Sequence, residues 1–341
     1  MQSVKRGVML LIVAALFGMV LGAGVVNAAR LAREDTLYIA GEQWGPPTNF
    51  NPVGRGAIAW PMVNKHLYVY ETVFAFNLYT GEMDPILAEK HEWIEDDMVL
   101  RVTLFEGTRW HDGEALTAED VKFSLELGRD YPVAYAAWWN YVNAVNVVDD
   151  RTVDIVLNPD RPHRNLLLQE LGDIHILPKH IWEKFDDPQE PANMDPVGSG
   201  PYKVMNYSPQ QITLERFDDY WGTPYFGTPK PAYLAHPIFK SNDAGNLAFE
   251  RAQVDISQQF VPEIWKMWED KNLPVGTWYA DEPYYLPASI PVVYFNLHRP
   301  GLENVLVRRA IAHAVDYAKI AETAMSRYSI PARSSLIIPY G

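Results

Sequence analysis

The chain has 341 residues, 48% of them hydrophobic and 13% aromatic, with a formal net charge of −14. This composition can bury a sizeable core in more than one domain and excludes a disordered chain. The absence of cysteine rules out disulfides, thiolate chemistry, Cys-ligated zinc and Cys-linked lipid, and the acidic balance repels nucleic acid and anionic lipid.

At the amino terminus Lys5 and Arg6 precede the apolar run "GVMLLIVAALFGMVLGAGVV", and "VNA" supplies small residues for cleavage after Ala28. Residues 1–28 therefore read as a signal peptide, and the mature chain is expected in the periplasm or a similar extracytoplasmic space. A retained anchor is the alternative, since about 20 apolar residues span a bilayer.

"DTLYIAG" predicts a strand, followed by the Pro- and Asn-rich loop "EQWGPPTNFNPV". Three hairpins are expected next: "HEWIEDDMVLRVTLF" around Glu95-Asp96-Asp97, "VNAVNVVDDRTVDIVL" around Asp149-Asp150, and "GSGPYKVMNYSPQQITLERF" turning at Ser208-Pro209. Beyond Pro237 the pattern becomes α/β. "NDAGNLAFERAQ" predicts a helix, "VDIS" a strand, "PEIWKMWEDK" a helix and "IPVVYFNL" a buried strand. Thr36–Gly41, Val254–Ser257 and Ile290–Leu297 are expected to share one sheet. "ENVLVRRAIAHAVD" predicts a further helix, with Val305, Val307, Ala310, Ile311 and Ala314 close to helical spacing. The closing "IIPYG" falls inside what reads as a new unit, so a longer protein is expected.

The stretch "RWHDGEALTAEDVKFSLEL" holds a His-Asp-Gly turn and several carboxylates, yet its residue types suit a helix start. Thr117 as N-cap with Asp120 at N3 forms a near capping box, and Leu116 can staple to Val121. Glu119 and Asp120 favour the positive end of the helix dipole. No nucleophile accompanies His111.

Five ordered stretches resemble family 5 of the bacterial extracellular solute-binding proteins, over Thr36 to about Ser326. They are "LRVTLFEGTRWHDGEALTAEDVKFSLEL", "DPVGSGPYKV", "RFDDYWG", "FERAQVDIS" (with Ala252-Gln253 where the family has a glycine) and "VYFNL" followed by "VRRAIAHAVD". The resemblance implies an α/β periplasmic binding protein-like fold of type II, with two lobes closing on a ligand. It places the first lobe at 35–59 and 192–297, an inserted hairpin-rich subdomain at 60–191, and the start of an incomplete second lobe at 298–341. It also implies an ABC permease in the inner membrane as partner and no cofactor. A monomer is expected.

Aromatics beside amides suit an oligosaccharide, because a ring covers the C–H face of a pyranose while amides bond its hydroxyls. Candidate ligand contacts are Trp44, Asn49 and Asn51; Trp138, Trp139 and Asn140; Trp278 and Tyr284; and Asn296 at the end of the expected buried strand. Core packing is the alternative for the tryptophans, and strand-end capping for Asn296. Trp93, Trp110, Trp182, Trp265 and Trp268 read as core or helix-packing residues, and Trp221 as structural. An oligopeptide is the alternative ligand. A secreted glycoside hydrolase would need two carboxylates about 5–10 Å apart, but most acidic residues belong to turns and helix starts. No G-x-S-x-G, H-E-x-x-H or P-loop pattern occurs.

Overall fold

The computed structural model describes residues 31–63, 66–77, 79–281, 284 and 293–328. The segment read as a signal peptide lies outside them. Among the described residues no helix is long and apolar enough to cross a membrane.

A mixed five-stranded sheet forms one layer. Its strands are β1 (Thr36–Ala40), β8 (Tyr202–Ser208), β9 (Gln211–Arg216), β10 (Tyr233–Pro237) and β11 (Ile256–Ser257), in the order β11-β1-β10-β9-β8. β1 runs parallel to both β10 and β11, while β9 and β8 complete the sheet antiparallel. Between β1 and β8 the chain builds a two-stranded ribbon, β2 (Phe74–Phe76) and β3 (Met83–Pro85). It then builds the antiparallel sheet β4-β5-β7-β6, formed by Ala88–Ile94, Val99–Leu104, Thr152–Leu157 and Val142–Asp149. The three expected hairpins are present. Glu95, Asp96 and Asp97 all take left-handed φ angles of 52–65°, and Ser208 turns the third hairpin by accepting from the Gln210 and Gln211 amides.

Helix α1 (Ala118–Asp130) packs on β6 and β7. Its start obeys the sequence: Asp120 Oδ2 accepts from the Thr117 amide at 2.8 Å, and Leu116 and Val121 are both buried. The Asp120 carboxylate also takes the Lys179 amide at 2.9 Å, which fixes the next segment of chain. The His-Asp-Gly turn has Gly113 at φ +93° and a structural histidine. His111 Nδ1 accepts from the Gly198 amide at 3.1 Å, so Nε2 carries the proton and donates to Gly200 O at 2.8 Å. Burial pushes the His111 pKa down to about 4, keeping it neutral. The two motifs "WHDG" and "VGSGPY" are thereby stitched together.

One apolar core runs through both sheets, from Ile39 and Phe50 through Leu100, Leu125 and Ile155 to Leu214 and Leu234. The chain crosses twice between the mixed sheet and the hairpin sheet, and the two crossings are bonded to each other. Asn51, fully buried, donates its Nδ2 to Pro188 O and Pro191 O. The Phe50 amide donates to Ala192 O, and Asn193 Nδ2 donates to Phe50 O and Tyr70 Oη. A smaller cluster gathers Val261, Ile264 and Met267 around Tyr328, with Trp265, Trp268 and Tyr284 packed against it.

The later expectations hold unevenly. Residues 293–297 of the predicted buried strand join no described strand pair, and Val293 and Tyr294 are 79% and 90% exposed. Ile290 to Val292 lie outside the described residues. A short apolar run forms a strand only where a neighbour takes its backbone groups, and no described segment does so. The helix Val305–Ala314 forms, with Asn304 accepting from the Leu306 amide as N-cap, but none of its residues is buried. The helix predicted over "PEIWKMWEDK" shrinks to the single turn Lys266–Glu269.

Candidate functional site

In open α/β sheets, ligands sit beyond the carboxyl ends of the parallel strands. Two of the three such ends here are Gly41, after β1, and Gln258, after β11. Their backbones approach so closely that a Cβ on Gly41 (φ +113°) would fall 2.8 Å from the Gln258 carbonyl carbon. Glu42 follows, also left-handed at φ 63°, a backbone choice that favours glycine and clusters at functional positions.

Polar side chains fan out from these two strand ends. On one side the indole N–H of Trp44, a ring 49% exposed, donates to Asn242 Oδ1 at 3.0 Å. Asn242 opens helix α2 (Asn242–Glu250), capped by Ser241. Gln259 Nε2 donates to Asn242 O at 2.9 Å and to Asn246 Oδ1 at 2.7 Å. On the other side Trp60 is fully buried and stacks on His236 at 4.2 Å. Its indole donates to Gln258 Oε1 at 2.7 Å, and its amide donates to Gln43 Oε1, also at 2.7 Å. His66 Nε2 lies 2.8 Å from Glu42 Oε2. Burial pushes His236 down to about 3, so the stack is uncharged.

These contacts settle which way each amide points. Indole and backbone N–H groups only donate, so Asn242 Oδ1 and Gln258 Oε1 must be the accepting atoms. The Nδ2 of Asn242 and the Nε2 of Gln258 then remain as donors, and Gln259 Oε1 remains as an acceptor. The result is an exposed indole bordered by neutral donors and an acceptor of fixed orientation. Among the described residues, no cluster of three or more His, Asp or Glu side chains could hold a metal.

The candidates from the sequence divide sharply. Trp44 stands at the strand ends, and Trp278 is 67% exposed. Tyr284 stacks on Trp265 at 5.7 Å in the smaller cluster. Asn296 is exposed and accepts from the His298 amide, which is a local turn cap. Asn49 Oδ1 accepts from the Asn51 amide, and Asn49 lines a shallow depression of about 430 Å³ with Arg55 and Glu190. Asn51 has no surface for a ligand, because its amide is spent on Pro188, Pro191 and Val53. Trp138 is buried beneath α1 and donates to Leu167 O, and Trp139 donates to Leu125 O. Asn140 Nδ2 donates to Ala137 O. This trio serves the fold, since a half-buried 3-10 turn needs its polar groups paired locally. Trp221 is likewise structural: it is buried, with its indole on Glu71 and Ser199 O. Asn51→Ala should lower thermal stability by roughly 1–3 kcal/mol through unpaired carbonyls and leave ligand affinity unchanged, which denaturation and calorimetry on the same variant would check.

Sequence reasoning passed over Glu42, Trp60, His66, Asn242, Asn246, Gln258 and Gln259. The available signal was the pair Gln258-Gln259 directly after the predicted strand "VDIS", with Asn242 at the preceding helix start.

Residues 82–340 match the family described as bacterial extracellular solute-binding proteins, family 5 Middle. A mannohexaose-bound periplasmic oligopeptide-binding protein of Thermotoga maritima shares the fold, at TM-score 0.82 and 32% identity over 90% of this chain and 56% of that one. A probable peptide-binding protein, YejA, of Agrobacterium fabrum is 29% identical over 70% of this chain and 41% of its own length. The dipeptide-binding protein of Escherichia coli K12 is 25% identical over 97% of this chain and 62% of its own. The chain thus spans about half the length of the relatives it matches. With the family match running through the hairpin sheet, the "GSGPY" and "YWG" segments and the strand end at Gln258, the chain belongs to the family 5 bacterial extracellular solute-binding proteins.

Proposed function

We propose that the carboxyl ends of β1 and β11 form the first-lobe half of a cleft that holds an oligosaccharide for delivery to an ABC permease. The observation that carries this reading is Trp44, whose half-exposed ring is pinned edge-on by Asn242 and is bordered by amides with unspent donors and an acceptor. A hydroxyl both donates and accepts, so vicinal sugar hydroxyls match a row that offers both. The ring face meets the C–H groups. The mannohexaose bound to the Thermotoga relative supports the same ligand class. An oligopeptide is the second reading, favoured by the relatives named for peptides.

The test is calorimetric titration of the complete protein with mannohexaose and with a mixed oligopeptide pool, repeated on Trp44→Ala. Covering roughly 100 Å² of ring face contributes about 2.5 kcal/mol at ~25 cal/mol/Å². Affinity for mannohexaose should therefore fall by about tenfold to a hundredfold. Thermal stability should hold, because half the ring is already in water. Binding of peptides alone would overturn the sugar reading.

A further inference from the structure

Trp60 is separated from the strand-end glutamines in sequence and shielded from solvent, yet it touches both of them. It lies in a 3-10 turn, Trp60–Met62, and its ring is packed between His236 at 4.2 Å and Tyr68 at 5.1 Å. From that locked position its two N–H groups reach Gln258 Oε1 and Gln43 Oε1, each at 2.7 Å. A glutamine side chain has three rotatable bonds, and its amide can present either end to a ligand. A buried donor with a single fixed direction removes that choice. Gln43 is closed off as well, since its Nε2 donates to Gly45 O at 2.9 Å. Gln258 is left half-exposed, with its NH₂ end as the only end that can point away from Trp60.

We infer that Trp60 is a positioning residue of the binding site: it holds Gln258 with its carbonyl inward, so that the side-chain NH₂ is a pre-set donor to an oxygen of the ligand. This rests on the proposal that ligand binds at these strand ends. Trp60 itself touches no ligand and acts only through Gln258. Preorganisation of this kind raises affinity by sparing the side-chain ordering that binding would otherwise cost, and it selects ligands that present an acceptor at that point.

The test is a double-mutant cycle on the complete protein, with mannohexaose as the probe and with Trp60→Phe and Gln258→Ala singly and together. Phenylalanine keeps an aromatic ring on His236 and keeps the main-chain N–H for Gln43, and it deletes the indole donor together with part of the ring volume. Trp60→Phe should weaken binding about five- to tenfold when Gln258 is present and should have no effect in the Gln258→Ala background. An equal loss in both backgrounds would overturn the inference. So would a lowered melting temperature with unchanged affinity, the mark of a merely structural tryptophan. Should Trp60→Phe fail to fold, Gln258→Glu takes its place. The carboxylate still accepts from Trp60 but has no N–H for a ligand, so affinity should fall about tenfold, and unchanged affinity would overturn the inference. If the wild type ignores mannohexaose and holds a peptide, the sugar reading fails on its own, and the same cycle is read on that peptide.

Discussion

Replacing Glu71 with alanine should cost about 2–4 kcal/mol of folding stability, because it opens a buried cavity, strips the acceptor from the Tyr220 hydroxyl and leaves the Trp221 indole only Ser199 O. Tyr220 Oη donates to Glu71 Oε1 at 2.6 Å and Trp221 Nε1 donates to Oε2 at 3.0 Å, while the Glu71 carbonyl takes the Ile176 amide. One buried side chain thus ties the "YWG" turn to the segment that enters β2. Glu71→Gln separates packing from charge. Burial pushes the carboxyl from its ordinary 4.5 up to about 7, and the bonds from Tyr220 and Trp221 oppose this only in part. The folded state therefore holds its proton more tightly than the unfolded chain does. The stability this group contributes is complete below pH 4.5 and is lost as the pH rises through 7. Glutamine does not titrate. Between pH 4 and pH 8 the difference in unfolding free energy should move by about 3 kcal/mol in favour of the Gln variant. The buried histidines His111, His175 and His236, all held below their ordinary pKa, act on both proteins alike and cancel. Denaturant titrations at pH 4, 6 and 8 check this, and a flat difference would mean the carboxyl is not shifted.

Gly198→Ala should be more damaging still, and soluble folded protein should be lost. A Cβ at this position would lie 1.8 Å from Val69 O and 2.6 Å from its carbonyl carbon, closer than any contact that small adjustments relieve. The neighbours cannot retreat. The Gly198 amide and carbonyl are both bonded to His111, and the Gly200 amide donates to that same Val69 O. Overpacking against fixed backbone exceeds the usual 1–3 kcal/mol of core overpacking. Gly276→Ala, where a Cβ meets nothing within 4 Å, should stay within about 0.5 kcal/mol. Circular dichroism melts of the two variants make the comparison, and a folded Gly198→Ala protein with a wild-type melting temperature would contradict it.

The hairpins were legible because each turn is local: three left-handed acidic residues at 95–97 and a serine turn at 208 are decided by neighbours in sequence. The α1 start was legible for the same reason, since Thr117 and Asp120 are three residues apart. Much of the candidate site is non-local. Trp60 and Gln258 meet across 198 positions, and no pattern near either residue announces the other. The cluster "AAWWN" was ambiguous because aromatics beside amides describe a sugar site and a half-buried 3-10 turn equally well, and here Trp138 is buried while Trp139 and Asn140 bond locally. The position of Trp44 beside the strand ends was legible because the loop after the first strand of a parallel sheet leads there whatever the rest of the chain does. Residues 293–297 show the limit of periodicity, which reports what a segment could bury and not whether anything covers it.

The paired crossings have a mechanical consequence. Asn51 on Pro188 and Pro191, Asn193 on Phe50 and Tyr70, and Gln189 on Val53 brace one passage of chain against the other, and the apolar core continues through the junction without a seam. A joint braced on both cords does not bend. Under the proposed function, any swing on ligand capture would carry the hairpin layer and the mixed layer together as one arm.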